Sequence, residues 1–178
     1  MKPLLRRYAA VLVATVVFLA FLVLLPGYQG KALEILSFQT RTLLLVIPPI
    51  FVLLGLLDVW VPREKMIRFM GPGSGTKGIT LAFLLGSFAA GPLYGAFPVA
   101  AVLMKKGASF PNILIFIGAW STTKIPMLLF ESSALGVRFT LARLAIDIVG
   151  IVVIAMAMMA LLPKAEVEEL YRQAEKIG

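Results

Sequence analysis

A chain of 178 residues that is 60% hydrophobic and only 15% charged, with a mean hydropathy of +0.97, has too little polar surface to cover a water-soluble fold. It has no cysteine and no histidine, which excludes disulfides, thiolate or imidazole metal sites, and cysteine or serine–histidine nucleophiles. Its formal charge of +8 is scattered among the ends of hydrophobic runs, the pattern of membrane topology and anionic-lipid contact rather than of nucleic-acid binding.

The first hydrophobic unit is Tyr8–Leu25, preceded by Lys2, Arg6 and Arg7. It is longer than a signal-peptide core, and Leu25-Pro26-Gly27-Tyr28-Gln29-Gly30 offers no small-x-small cleavage site, so a retained membrane helix is expected. Gly30–Thr42, with Lys31, Glu34 and Arg41, reads as an interfacial connection. The second unit runs from about Leu43 to Val61, with a bend expected at Pro48-Pro49 and Asp58 and Trp60 near its far boundary. Arg63, Lys65 and Arg68 interleave with Met66, Ile67, Phe69 and Met70, the pattern of a short helix lying on the membrane surface. Gly71–Gly78 is glycine-rich with a Thr-Lys pair, yet it lacks phosphate-loop spacing and no alternating strand precedes it. A surface turn is expected there.

The third unit, Gly78–Met104, is interrupted by Gly91-Pro92-Leu93-Tyr94-Gly95 and then Pro98. The fourth, from about Phe110 to Ser133, is interrupted by Ser121-Thr122-Thr123-Lys124 and Pro126. The fifth is Phe139–Leu162, stopped by Pro163. The expected fold is therefore an all-α integral membrane protein with about five hydrophobic helical units, two of them broken or re-entrant. A membrane permease domain at 1–163 is followed by a charged tail at 164–178, in a multi-pass protein of the cell inner membrane or plasma membrane. A broken crossing and a re-entrant hairpin contain the same residues, so hydropathy leaves both open. If each unit crosses once, lysine and arginine divide almost evenly between the two sides, which gives only a weak bias toward a cytoplasmic N-terminus.

Breaks at membrane depth are tolerated where they are buried in protein or line a cavity, so the two interruptions are the candidate site. In the first, Gly91 and Gly95 permit close approach or unusual dihedrals, Pro92 and Pro98 free upstream carbonyls, and Tyr94 adds a hydroxyl. The plainer alternative is a kinked helix packed through small residues. In the second, Ser121, Thr122 and Thr123 surround Lys124, a cation costing on the order of 3 kcal/mol at the centre of an isolated membrane helix. Lys124 either meets an anionic or polar solute or snorkels to a surface. Glu131 shares its face but lies about 10 Å along a regular helix, a countercharge only across a bend or from another subunit. Arg143 and Asp147, spaced i and i+4, form a structural or coupling pair. Trp120 and Asn112 read as packing or interface residues. The methionines at 156, 158 and 159 read as apolar packing rather than a metal conduit, so no metal and no cofactor are expected.

From Gly86 to Gly136 the chain resembles the YraQ-like predicted permeases, the family that includes the bacterial organoarsenical efflux permeases. The resemblance rests on the small-residue helix Leu81–Ala90, the break, and Gly95-Ala96-Phe97-Pro98-Val99-Ala100. It continues through Lys106-Gly107-Ala108, the second break Ser121–Pro126, and the Leu135-Gly136 turn before Arg138 and Arg143. It extends over about Leu44 to Val153. Relatives commonly carry cysteines where this chain has Pro92 and Tyr94, so thiolate binding of a trivalent arsenical does not carry over. Relatives are also often twice as long, with two related halves. The resemblance thus implies a half-size unit working as a homodimer, parallel or antiparallel; five crossings would give each half opposite ends, which slightly prefers antiparallel insertion.

Together these readings describe a permease or secondary transporter for a small polar or anionic solute. It is not an enzyme, its surroundings are membrane lipids, and nucleic acid is no partner. A membrane scaffold or accessory subunit is the different-class alternative, and a passive channel a third.

Overall fold

Proline and glycine set where the helices of this chain stop. The computed structural model describes residues 2–89 and 91–176, and every regular element among them is helical. The side chains at 2–7, 10, 46–47, 50–51, 53–54 and 57–58 fall outside the described set, and with them the expectations placed on Lys2, Arg6, Arg7 and Asp58. The chain divides into two units, Met1–Pro48 and Pro49–Gly178.

The first unit holds α1 (Lys2–Leu24), a 3-10 turn (Pro26–Tyr28) and the first part of α2 (Gln29–Trp60). Pro26 supplies no amide hydrogen and disfavours helical geometry in the residue before it; Leu25 sits at φ −126 and ψ 68. The apolar stretches Val11–Leu24 and Pro26–Leu45 consequently meet at 105°. Gln29 Nε2 reaches back 2.6 Å to the Leu22 carbonyl, occupying one of the acceptors left free at the end of α1. The corner thus lies at Leu25, and Gly30–Thr42 is helical, part of α2, which continues through Pro48-Pro49.

The second unit contains α3 (Arg63–Met70), α4 (Gly75–Phe88), a 3-10 turn (Leu93–Gly95) and α5 (Ala96–Lys105). It continues with α6 (Phe110–Thr122), α7 (Ile125–Ala134), α8 (Val137–Leu161) and α9 (Lys164–Glu175). Helix α4 is 14 residues long and α5 only 10, about 21 and 15 Å, so neither crosses a hydrocarbon core of about 30 Å. They form a hairpin instead. The end of α5 returns to the start of α4, where Ser109 N donates to Met70 O at 2.7 Å and the buried Asn112 amide donates to Met70 O at 2.8 Å and Ser74 Oγ at 3.0 Å. Lys106 Nζ, at the same end, donates to Val61 O at 2.7 Å.

Helices α6 and α7 together make one span, Phe110–Ala134, and α8 makes the other. These are the two helices long and apolar enough to cross a membrane among the described residues, or three if the bent pair in the first unit counts as one. The expectation of about five spanning units is corrected accordingly. The third unit fails because it folds back on itself. The first counts only jointly with the bent-away stretch Pro26–Leu45, and part of the expected Leu43–Val61 span lies outside the described side chains. Ala82, Leu103, Ile113, Phe116, Ala119 and Trp120 form the buried centre in which the hairpin packs on α6.

Candidate functional site

Helices α4 and α6 run side by side in the same direction: Gly78 lies beside Asn112, Gly86 beside Phe116–Trp120, and Ser87 beside Thr123. Their close approach requires glycine at position 86. A Cβ there would stand 2.5 Å from the Phe116 carbonyl oxygen and 2.8 Å from the Trp120 amide nitrogen, too near for any side chain. Both helices therefore end at the same depth. Thirteen residues place the end of α6 about 20 Å from its start, well inside a hydrocarbon core of about 30 Å.

A helix end at that depth leaves carbonyls without partners. The chain beyond α4 turns at Gly91, whose φ of 107 is in the left-handed region. Its carbonyl then accepts from Lys124 Nζ in the second break at 2.5 Å and from Trp120 Nε1 in the last turn of α6 at 3.4 Å. The indole also donates to Pro92 O at 3.2 Å. Thr123, which is almost wholly buried, donates to Ala119 O at 3.1 Å, and its hydroxyl lies 2.7 Å from Ser87 Oγ, which is left as the donor of that contact. Polar groups at the end of one half-helix are thus matched by groups at the end of the other.

The second part of the site lies between α7 and α8. Arg143 Nε donates to Glu131 Oε2 at 2.7 Å, and Nη1 donates to Asp147 Oδ2 at 2.6 Å and to the Thr122 carbonyl at 3.0 Å. Nη2 is buried and has no hydrogen-bond partner. Glu131 and Asp147 outnumber the guanidinium by one, so the fully ionised triad carries one net negative charge. Because Thr122 is the last residue of α6, the triad is tied to the break through the backbone.

Gly91, Pro92, Thr123 and Lys124 come together, with Thr122 joining them to Arg143, Asp147 and Glu131. Gly95 is buried but has ordinary helical dihedrals, φ −69 and ψ −20, so the conformational demand falls on Gly91. Pro98 and Pro126 occupy the first turns of α5 and α7, where a missing amide hydrogen costs nothing. Ser121 is exposed, Thr122 Oγ1 turns back to Gly118 O, and Tyr94 points outward at 46% exposure. Glu131 bonds to Arg143 of the next helix rather than to Lys124. Sequence reasoning missed Ser87 and the role of Trp120, which it treated as packing. The signal was there for Trp120: it stands four residues before Lys124, so both reach the same carbonyl.

A family model described as a predicted permease matches residues 29–178, and the chain belongs to that family, the YraQ-like predicted permeases. No curated protein and no solved structure matches it. Membership makes the chain a multi-pass protein of the inner or plasma membrane and a permease-family protein, not an enzyme.

Proposed function

We propose, from membership of the predicted-permease family, that this chain is a secondary transporter moving a small polar or anionic solute along a path lined by its two breaks. The observation that carries this reading is the joint between them. At membrane depth, the Lys124 ammonium and the Trp120 indole converge on the carbonyls of Gly91 and Pro92. A solute with acceptor oxygens can exchange for those carbonyls, and the nearby N-termini of α5 and α7 offer amides to an anion. Tyr94, Leu93 and Phe97 face outward beside the joint, a surface suited to a second copy of the chain. In a homodimer of half-size units it would close the path from its open side. Arg143 with Glu131 and Asp147 is the structural or coupling element, holding the Thr122 carbonyl next to the joint. Residues 1–163 then form the transport domain and 164–178 the tail.

The test is flux in liposomes across a panel of organic and inorganic anions, small polar solutes and metal ions. Lys124→Met should lower flux of the active solute at least tenfold more than it lowers folded yield, with Lys124→Arg intermediate. Equal flux from wild type and Lys124→Met rejects the charge role. One observation favours a second reading, a scaffold or accessory subunit. Lys124, Trp120, Thr123 and Ser87 all find protein partners, as they would in a packed joint that carries nothing. Folded protein without flux for any solute on the panel would favour it.

A further inference from the structure

The hairpin changes where the positive charges lie. A crossing at α4–α5 would put Lys105 and Lys106 on the membrane face opposite α3. The fold instead returns them to it: Lys106 Nζ donates to Val61 O, just before α3, and Ser109 N donates to Met70 O at the end of α3. The span Phe110–Ala134 then leaves this face and α8 comes back to it. A cavity of about 510 Å³ is lined jointly by the Gly71–Gly75 loop, Asn112, Met159 and Tyr171, so the starts of α4 and α6, the end of α8 and α9 all meet there. Tyr171 Oη donates to Ala108 O at 2.7 Å, docking α9 onto the same end.

Within Pro49–Gly178, nine lysines and arginines consequently stand at one end: three on α3, Lys77, Lys105 and Lys106, and three from Lys164 to Lys176. All but Lys106 are exposed. At the other end, the α7–α8 turn and the first turn of α8 carry Arg138 alone. Loop lysines and arginines are retained on the cytoplasmic side, and acidic residues contribute little to that choice, so Glu64 and the glutamates of α9 do not offset the bias. Basic side chains beside a membrane surface are also drawn to anionic headgroups.

We infer that Pro49–Gly178 inserts in one orientation, with the α3–α9 end in the cytoplasm and its basic side chains seated on the anionic phospholipid headgroups of that leaflet. A homodimer of this chain is then parallel rather than opposed, since two copies with the same nine-to-one asymmetry point the same way. The inference uses only the membrane placement of the chain and stands apart from whether the breaks carry solute.

The absence of native cysteine makes the test direct. Thr76→Cys, Lys105→Cys, Gln173→Cys and Leu135→Cys each add a sole thiol at an exposed position outside the joint. With a membrane-impermeant maleimide, the first three should react only after the cells are permeabilised, and Leu135→Cys should react in intact cells. Lys105→Cys reacting from outside while Thr76→Cys does not would overturn the hairpin. Every position reacting to half its maximum in intact cells would overturn the single orientation. For the headgroup seat, nanodiscs of phosphatidylglycerol should raise the unfolding temperature above that in phosphatidylcholine. The difference should vanish when Arg63, Lys65 and Arg68 are all changed to Gln, and inorganic phosphate added to phosphatidylcholine discs should not reproduce it. Equal unfolding temperatures in the two lipids would overturn the seat, and a rise with phosphate alone would assign it to a free anion instead.

Discussion

The two interrupted segments are alike in composition and opposite in outcome. Between α4 and α5 the chain reverses; between α6 and α7 it continues in one span. The first interruption runs from Ala89 to Gly95 and contains Gly91 at φ 107 followed by a 3-10 turn. The second consists of Thr123 and Lys124, at φ −112 and −60, both ordinary for a side-chain-bearing residue. A two-residue gap with negative φ shifts a helix axis, whereas a longer gap with a left-handed glycine lets the chain turn back. Hydropathy registers neither difference. The segments then meet because each leaves polar backbone at membrane depth that the other can satisfy.

Five substitutions sharpen this comparison. Arg143→Leu should have the largest effect, about 3–5 kcal/mol of lost stability, because it leaves Glu131 and Asp147 facing one another without a cation. The loss should appear as a lower midpoint in denaturing-detergent titration. It should also loosen α7 while leaving the α4–α5 hairpin intact, so Thr76→Cys and Lys105→Cys keep their common sidedness. Gly86→Leu comes next at about 1–3 kcal/mol, since the added atoms collide with the Phe116 carbonyl and the Trp120 amide nitrogen. Here the hairpin should part from α6 while the α7–α8 contact persists, and a rise in Trp120 solvent accessibility in a Trp60→Phe background would report it. No change in either measurement would break the claim that close approach of α4 and α6 builds the joint.

Gly91→Ala should cost about 1–2 kcal/mol, the penalty for holding a Cβ at positive φ. Its counterpart Thr123→Ala strains no dihedral and should cost only the hydroxyl's bonds to Ala119 and Ser87, about 1 kcal/mol. Equal losses would mean that the left-handed turn is not what distinguishes the two breaks. The smallest effect concerns α9, outside the membrane spans. Burial raises the Tyr171 phenol above its ordinary value of 10.0, so the neutral form that donates to Ala108 is favoured in the folded chain. Its contribution is complete below that ordinary value and is lost as pH rises through the folded one. Tyr171→Phe should free α9 to proteolysis by about 1 kcal/mol at neutral pH and abolish the further increase at strongly alkaline pH.

Much of this was legible in advance, and unevenly. Membership of the predicted-permease family agrees with the resemblance read around Gly95, the ends of α4 and α6 fall close to the expected interruptions, and α8 ends close to the expected stop at Pro163. The spacing of Arg143 and Asp147 marked an ion pair that is present. The number of spans was misjudged because length and hydrophobicity cannot tell a crossing from a hairpin of two short halves. Glu131 was weighed against Lys124 because both lie on one stretch of sequence. Its partner lies twelve residues on, across a turn that brings α8 alongside.

What the sequence determined by itself is local. A proline has no amide to give and constrains the residue before it, and a glycine admits positive φ, so the places where helices end are written in the chain. The apolar composition likewise commits it to a membrane. Which way the chain runs after each break, which group satisfies the Gly91 carbonyl, and which face collects the lysines depend on contacts between residues dozens of positions apart. Ser109 bonding to Met70, Lys124 to Gly91 and Arg143 to Glu131 become possible only when helices stand side by side. The tertiary structure decides them because polar backbone inside a bilayer must find its partners within the protein.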